Sequence, residues 1–479
     1  MCNILPEAQA GFRKGRGCDD QIFTLQALTQ IGTRGKKSKV YALFIDFQRA
    51  FPSIKHHLLW DKLFQIGLSG KIIRILKSLY DEAGTMIRLP DGLTNKIGIT
   101  EGLLQGEILS PLLFSLYISD IEERLINSGI RGIKFGNADI SLLCFADDMV
   151  LLAPTRSELQ QKINWLDEYF NDLGLTINLA KTQVVIFERR KSRKVEEIIT
   201  LKGVPLEVVP SYTYLGVIFN QNCKFDIAAS SFKTKGKAAV ASIWEVLCRG
   251  KIEAWEAKVK LFNTVVIPTA LYCAQIWGLN QTIELEKVHC YFLKKALGVR
   301  EITSNAAIRI ETNSYNLAVK IHVQAYKFCL KILNMGDNRY VRICYDNLLR
   351  YSSREGEDSR FNWCSQFCKI LQLVGMGDIW VGQNFDTSMS NFRIFIDNQR
   401  NLNRAADMDT LCSSTRYKYY NQLVPINDDL PDYLKGNKPT RILRCMAQCR
   451  LGLGYFKSND YYYNLITNEE CRYCMKEYR

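Results

Sequence analysis

The chain has 479 residues and a 47% apolar fraction. That is room for roughly two to four domains with a sizeable core, and it excludes the disordered and fibrous classes. Its 63 Lys and Arg against 49 Asp and Glu leave a net charge of +14; the usual physical reason for such a surplus is a polyanionic partner, because each neutralised phosphate releases counterions. No segment reaches the ~18 apolar residues of a membrane-spanning helix. Sixteen cysteines, scattered along the chain with no apolar leader after Met1, fit reduced thiols and an intracellular location, in the nucleus, the cytoplasm or both.

Residues 1–40 are polar and rich in glycine, with Gly11, Gly15, Gly17, Gly32 and Gly35. The run 40–47 is apolar, with β-branched and aromatic side chains, and predicts a buried strand. Helix signals fill 55–80. Ser110 as cap and Pro111 at the first position open the next helix. Its apolar face runs through Leu113, Leu116, Tyr117, Ile121 and Leu125, and Gly129 ends it. The runs 140–145 and 149–152, parted by Ala146-Asp147-Asp148, predict a tight hairpin. Thr155 and Glu158 form a capping box for a helix with the stripe Leu159, Ile163, Leu166, Phe170 and Leu173, stopped by Gly174. Strands are expected at 184–187 and 214–219. Residues 225–300 read as mainly helical, with Lys233, Lys235, Lys237, Lys251, Lys258 and Lys260 prominent, whereas 301–479 carry less pattern.

Two adjacent carboxylates on a buried hairpin are costly unless something neutralises them. A solvent-facing turn, where Asp is common, removes that cost. Asp46 shifts the balance towards a site, because it too ends an apolar strand, and a strand end and a hairpin from distant segments can meet on one sheet edge. Three carboxylates there suit two divalent ions bound through oxygen. Such a pair activates a 3′-hydroxyl and stabilises a leaving pyrophosphate in phosphoryl transfer. Gly102-Leu103-Leu104-Gln105-Gly106 is a flexible loop from which Gln105 can approach a base pair or sugar closely, or else an ordinary strand-to-helix loop. Gly11-Phe12-Arg13-Lys14-Gly15-Arg16 puts basic groups on a flexible stretch, apt for a triphosphate or simply solvated.

Together these segments resemble the reverse transcriptase domain of non-LTR (LINE-type) retrotransposons, with insect jockey-like elements the nearest in kind. Gln9-Ala10-Gly11-Phe12-Arg13-Lys14-Gly15-Arg16 with Asp20-Gln21-Ile22 is similar to the family's fingers motif. Phe44-Ile45-Asp46-Phe47-Gln48-Arg49-Ala50-Phe51 is similar to motif A, and 102–106 through Ser110-Pro111-Leu112-Leu113-Phe114 to motif B. Phe145-Ala146-Asp147-Asp148 resembles the catalytic box, Gly174-Leu175-Thr176-Ile177-Asn178 with Lys181-Thr182 motif D, and Ser211-Tyr212-Thr213-Tyr214-Leu215-Gly216 the primer grip, motif E.

The resemblance implies an α+β right-hand polymerase: partial fingers over 1–39, a palm with inserted fingers elements over 40–222, a helical thumb over 223–300, and a mostly helical C-terminal region over 301–479. It implies an RNA template, a DNA primer, deoxynucleoside triphosphates, and two Mg²⁺ or Mn²⁺ ions on Asp46, Asp147 and Asp148. It further implies that Arg13 contacts the triphosphate, that Phe51 is the steric gate under the sugar, and that Gln105 and Gly106 line the nucleotide site. Lys181 would protonate the leaving pyrophosphate, and Tyr214, Leu215 and Gly216 would steady the primer end.

Departures from the family pattern set further expectations. Little fingers sequence precedes the first motif, no endonuclease domain accompanies it, Leu104 stands where proline is common, and Glu107 adds an acid near the triphosphate path. A truncated remnant that binds nucleic acid without turnover is therefore the alternative. An RNA-dependent RNA polymerase shares the palm logic, but the bulky Phe51 argues against it. Cys471-x-x-Cys474 resembles half of a zinc knuckle without its remaining ligands, Cys445 and Cys449 are weak substitutes, and His56, His57, His289 and His322 form no metal-spaced cluster with these cysteines, so no zinc is expected.

Overall fold

The apolar run at 40–47 forms the strand Val40–Ile45, buried along its whole length, in a computed structural model that describes residues 4–35, 38–136, 138–189, 198–352, 358–417, 420 and 429–451. This strand is the middle of a five-stranded sheet in the order Glu207–Val208, Gln183–Phe187, Val40–Ile45, Asp148–Ala153, Leu142–Phe145. Leu43 lies opposite Val184 on one side and Leu151 on the other, both pairings antiparallel. Both faces of the strand are covered, which is why its sequence shows no polar alternation. Tyr41, Leu43 and Ile45 share a core with Leu113, Phe114, Leu159, Ile163, Leu166 and Phe170. On the opposite face Phe44 stacks on Tyr212, with ring centroids 4.2 Å apart.

Several elements differ from expectation for identifiable reasons. The single helix expected over 55–80 is two, His56–Gln65 and Gly70–Asp81, because Gly67 turns the chain at φ +85° and Ser69 caps the second by accepting from the Ile72 amide. The helix after residue 109 is Ser110–Tyr117, followed by Ile121–Asn127. Its cap position is Leu109, and the Ser110 hydroxyl instead donates to the Leu104 carbonyl at 2.6 Å. The Thr155 cap and the Gly174 stop fall as expected, with Thr155 accepting from the Glu158 amide and Gly174 at φ +68°. The strand expected over 214–219 is a hairpin, Ser211–Tyr214 with Val217–Asn220. A buried helix, Cys18–Gly32, fills a stretch whose polarity concealed it; Gln21, Thr24, Gln26, Thr29 and Gln30 are all buried in it.

The chain divides into two units, residues 1–224 with 335–364 and residues 225–334 with 365–479. Nothing in the sequence signals the return of 335–364 to the first unit. There the Tyr340–Ser352 helix packs on Cys18–Gly32. Arg339 pairs with Glu7 at 2.9 Å and with the buried Asp20 at 3.2 Å, and the Tyr340 hydroxyl donates to Glu122. The described residues of the second unit are helical and contain no strand. Its long helices are Asp226–Arg249, Thr282–Leu297, Leu317–Leu333 and Phe392–Cys412. The basic stripe expected there is interrupted: Lys258 is buried and donates to Thr440 at 2.8 Å, and Lys233 pairs with Glu284 at 2.8 Å.

Lys162, on the helix Arg156–Asp172, is fully buried and donates to Ser141 Oγ at 2.9 Å and the Leu152 carbonyl at 2.6 Å. Burial pushes its pKa down to about 8, against the pull of Asp139 and Glu158. The folded chain therefore binds this proton less tightly than the unfolded chain does. The resulting penalty is fully present below about pH 8 and is relieved as pH rises towards the lysine's ordinary 10.5. Lys162→Met should stabilise the protein by about 1–3 kcal/mol at pH 7, a gain that shrinks by pH 10. Urea unfolding at both pH values measures it, and a loss of stability at pH 7 would contradict this account.

Each described cysteine is a free thiol. No helix among the described residues is long and apolar enough to cross a membrane. Cys471 and Cys474 lie outside the described residues.

Candidate active site

Asp46 leaves the end of its strand and is caught there by a segment 132 residues later. The Asn178 amide donates to the Asp46 carbonyl at 2.8 Å, and the Asp46 amide donates to Thr182 Oγ1 at 3.3 Å. Asn178 Nδ2 donates to the Asp46 carboxylate at 3.0 Å. Lys181 Nζ stands 3.8 Å from the same carboxylate oxygen, with its side chain 71% exposed. Asn178 and Thr182 are site residues that sequence reasoning assigned no role, because no local pattern announces a bond across such a separation.

The hairpin turns over two residues, Ala146 and Asp147, with Asp148 already in the strand opposite Phe145; the expected three-residue loop is one shorter. Ile45 pairs with Met149, so the same register carried one step further sets Asp46 beside Asp148. Asp147 is raised above the usual carboxylate range by burial and by the charge of Asp46. Asp148 is raised by burial and by the charges of Asp147 and Asp46. Asp147 and Asp148 thus feel the charge of Asp46 at one end of the sheet, and a cation placed among the three would relieve the repulsion. Among the described residues no group of three or more His, Cys, Asp or Glu side chains is gathered closely enough to hold a metal ion. Asp46, Asp147 and Asp148 are all hard oxygen donors, which suits Mg²⁺ or Mn²⁺.

The loops around this edge are built onto one another. The Gly102 amide donates to the Ile54 carbonyl at 2.7 Å and the Leu103 amide to the Phe51 carbonyl at 2.8 Å. Gly102 sits at φ +87°, and a Cβ there would lie 2.7 Å from the Pro52 carbonyl oxygen, so this approach requires glycine. Phe51 is half-buried and stacks on Phe114 with centroids 5.1 Å apart. Gln105 and Gly106, further along the same loop, are exposed. The Glu107 carboxylate accepts from the Tyr80 hydroxyl at 3.0 Å and lies 3.2 Å from Ser110 Oγ, so the acid that looked like a threat to a triphosphate has structural partners.

Arg13 is half-buried, and its Nη1 donates to the carbonyls of Pro6 and Gln9 at 2.6 and 2.8 Å. It folds its own loop, and Arg16 does likewise through Glu7.

In the late hairpin, Leu215 and Gly216 form a two-residue turn with φ of +44° and +84°, the geometry that joins twisted strands, although leucine is an unusual occupant. Tyr214 is buried in the core beside Phe44 and Phe219, with its hydroxyl unpaired. Tyr212, two residues earlier on the same face, is the half-buried one. Burial and the charges of Asp148 and Asp46 raise its hydroxyl pKa. Strand alternation from Tyr214 is the signal that points to it.

Residues 1–219 match the reverse transcriptase (RNA-dependent DNA polymerase) family. The chain is 25% identical over 303 residues to the RNA-directed DNA polymerase from mobile element jockey of Drosophila funebris, covering 60% of this chain and 31% of that protein. It is 27% identical over 294 residues to the probable RNA-directed DNA polymerase from transposon X-element of Drosophila melanogaster, covering 60% of this chain and 31% of the relative. The chain therefore spans about a third of the length of these curated relatives. Among solved structures it is similar to telomerase from Candida tropicalis in complex with a fragment of telomeric RNA, at 13% identity and a TM-score of 0.36, covering 71% of this chain and 53% of that one.

Proposed function

We propose, from the premise that residues 1–219 are a reverse transcriptase domain of the non-LTR, jockey-like retrotransposon kind, that the chain is an RNA-directed DNA polymerase. It would extend the 3′ end of a DNA primer with deoxynucleotides on an RNA template. In this reading the domain is a right-hand polymerase, with the five-stranded sheet as its palm. The observation that supports the activity most is the strand register, which sets Asp46 beside Asp148 with Asp147 next to it in the hairpin turn.

Reverse transcription depends on divalent metal, and these three carboxylates are the groups that would hold two Mg²⁺ or Mn²⁺ ions. Ions bound there would supply activation of the primer hydroxyl and charge neutralisation at the leaving pyrophosphate. Lys181, exposed and near Asp46, would give a proton to that pyrophosphate. Phe51, held by the Leu103 amide and the Phe114 ring, would exclude a 2′-hydroxyl. Gln105 and Gly106 would line the nucleotide site, and Arg13 would shape the loop that meets the triphosphate. Leu215 and Gly216, at the tip of their hairpin, would steady the primer end, with Tyr214 anchoring that hairpin in the core.

Extension of oligo(dT) on poly(rA) with dTTP and Mg²⁺ tests the proposal. Labelled primer should lengthen, and a bound duplex that never lengthens with Mg²⁺ or Mn²⁺ would favour a nucleic-acid-binding remnant instead. Phe51→Ala should raise ribonucleotide incorporation relative to deoxynucleotide by about tenfold or more. Unchanged sugar discrimination in competition assays would remove the gate assignment.

A further inference from the structure

Ala146 opens the two-residue turn of the acid-bearing hairpin at φ +57°, a conformation that side chains of the L series adopt rarely. A single buried side chain holds it there. Gln9 is 1% exposed. Its Oε1 accepts from the Gly11 amide and from the Ala146 amide, each at 2.9 Å. Its Nε2 reaches the Ala146 carbonyl at 3.4 Å. Both sides of the Ala146 residue are thus tied to one amide group 137 residues away in sequence.

The segment carrying Gln9 is itself fixed to the hairpin. The Ala10 amide donates to the Cys144 carbonyl and the Cys144 amide to the Ala8 carbonyl, both at 2.9 Å. Gln21 Nε2 bridges the carbonyls of Ala8 and Cys144 at 2.7 and 3.0 Å. On the other side the Ala8 amide donates to Glu122 at 3.1 Å. Gly11 lies so close that a Cβ would stand 2.4 Å from the Ala146 nitrogen. This contact is made of backbone atoms and has no room to give.

We propose that Gln9 is a positioning residue for Asp147: its amide fixes the peptide planes on either side of Ala146, and so the direction from which the Asp147 carboxylate meets Asp46 and Asp148. The role rests on the polymerase reading and deepens it. Gln9 touches neither nucleotide nor primer in this scheme. It acts through the turn, holding an unfavourable backbone conformation that a two-residue loop starting with alanine would otherwise relax. A methionine of similar length fills the same space but offers only a weakly accepting thioether to the two amides and no donor to the Ala146 carbonyl.

Gln9→Met should lower kcat for primer extension by about 30-fold or more, because small misplacement of a reacting group costs that much. KM for the nucleotide and Kd for the duplex should stay within about threefold of wild type, with kcat expressed per duplex-binding-competent molecule from a stoichiometric titration, so that a loss of folded protein is not counted as a loss of kcat. Wild-type kcat, or a loss of kcat matched by an equal loss of duplex binding, would overturn the proposal. Should Gln9→Met not fold, Gln9→Asn decides the point, since its amide keeps the chemistry but stops one methylene short of Ala146. A loss in kcat of about tenfold supports the role and undiminished turnover contradicts it. Hydrogen exchange at the Ala146 amide reads the clamp without turnover: it should quicken by about tenfold or more in the same variant, and unchanged exchange counts against the clamp. Failure of the wild type to extend any primer would instead count against the polymerase reading, leaving the exchange measurement to judge Gln9.

Discussion

Asp147→Asn/Asp148→Asn should lower primer extension at least about 10³-fold, because it removes two of the three carboxylates that would hold the metal ions and leaves Asp46 alone. The protein should nonetheless remain folded. Asp148 is exposed and Asp147 half-exposed, so no core packing is lost, and both carboxylates are raised by partial desolvation, Asp147 also by the charge of Asp46 and Asp148 also by those of Asp147 and Asp46. Neutral amides of the same shape remove that repulsion, so thermal stability should be unchanged or slightly higher. Duplex affinity measured without metal should rise or hold, since two negative charges leave the phosphate path. Extension within tenfold of wild type would mean that these acids do not carry the chemistry.

The second large effect lies in the helical unit. Arg309 is buried between Glu286, at 2.9 Å, and Asp407, which its guanidinium grips with two nitrogens. Burial works to raise the Glu286 carboxyl, yet the charges of His289 and Arg309 and the Leu317 amide bring it down to about 2. Arg309→Met would strand two buried carboxylates and should cost about 3–5 kcal/mol. A carboxyl depressed on folding contributes stability that is present above its unfolded value near 4.5 and is lost as pH falls towards 2. The gap between wild type and Arg309→Met should therefore be wide at pH 7 and narrower at pH 3. Urea midpoints at the two pH values provide the check, and a gap independent of pH would assign the loss to packing alone.

The acids were legible because charge inside an apolar run is conspicuous: Asp46 ends six buried residues, and Asp147 and Asp148 sit between two apolar strands. The sheet was legible for the same reason. What stayed hidden depends on partners far away in sequence. Gln9 looks like an ordinary polar residue of a glycine-rich stretch until Ala146 is seen beside it, and Asn178 until it reaches Asp46. The helix Cys18–Gly32 escaped because its glutamines and threonines are buried, with Gln21 and Thr24 bonded to carbonyls, and periodicity counts them as surface. Leu215 gave no turn signal, because the residue types that mark such turns are glycine and asparagine. The basic helices suggested a continuous stripe, but charge in a sequence does not reveal that Lys258 is buried or that Lys233 is spent on Glu284.

Asp46, Asp147 and Asp148 are proposed to carry the copying of RNA into DNA. The most direct test is a heteropolymeric RNA annealed to a short DNA primer, incubated with the purified chain, four deoxynucleoside triphosphates and Mg²⁺, with the extended strand then sequenced. The product should be DNA complementary to the RNA, absent when EDTA replaces the metal. Bound primer that is never extended, or that gains only untemplated nucleotides, would contradict it.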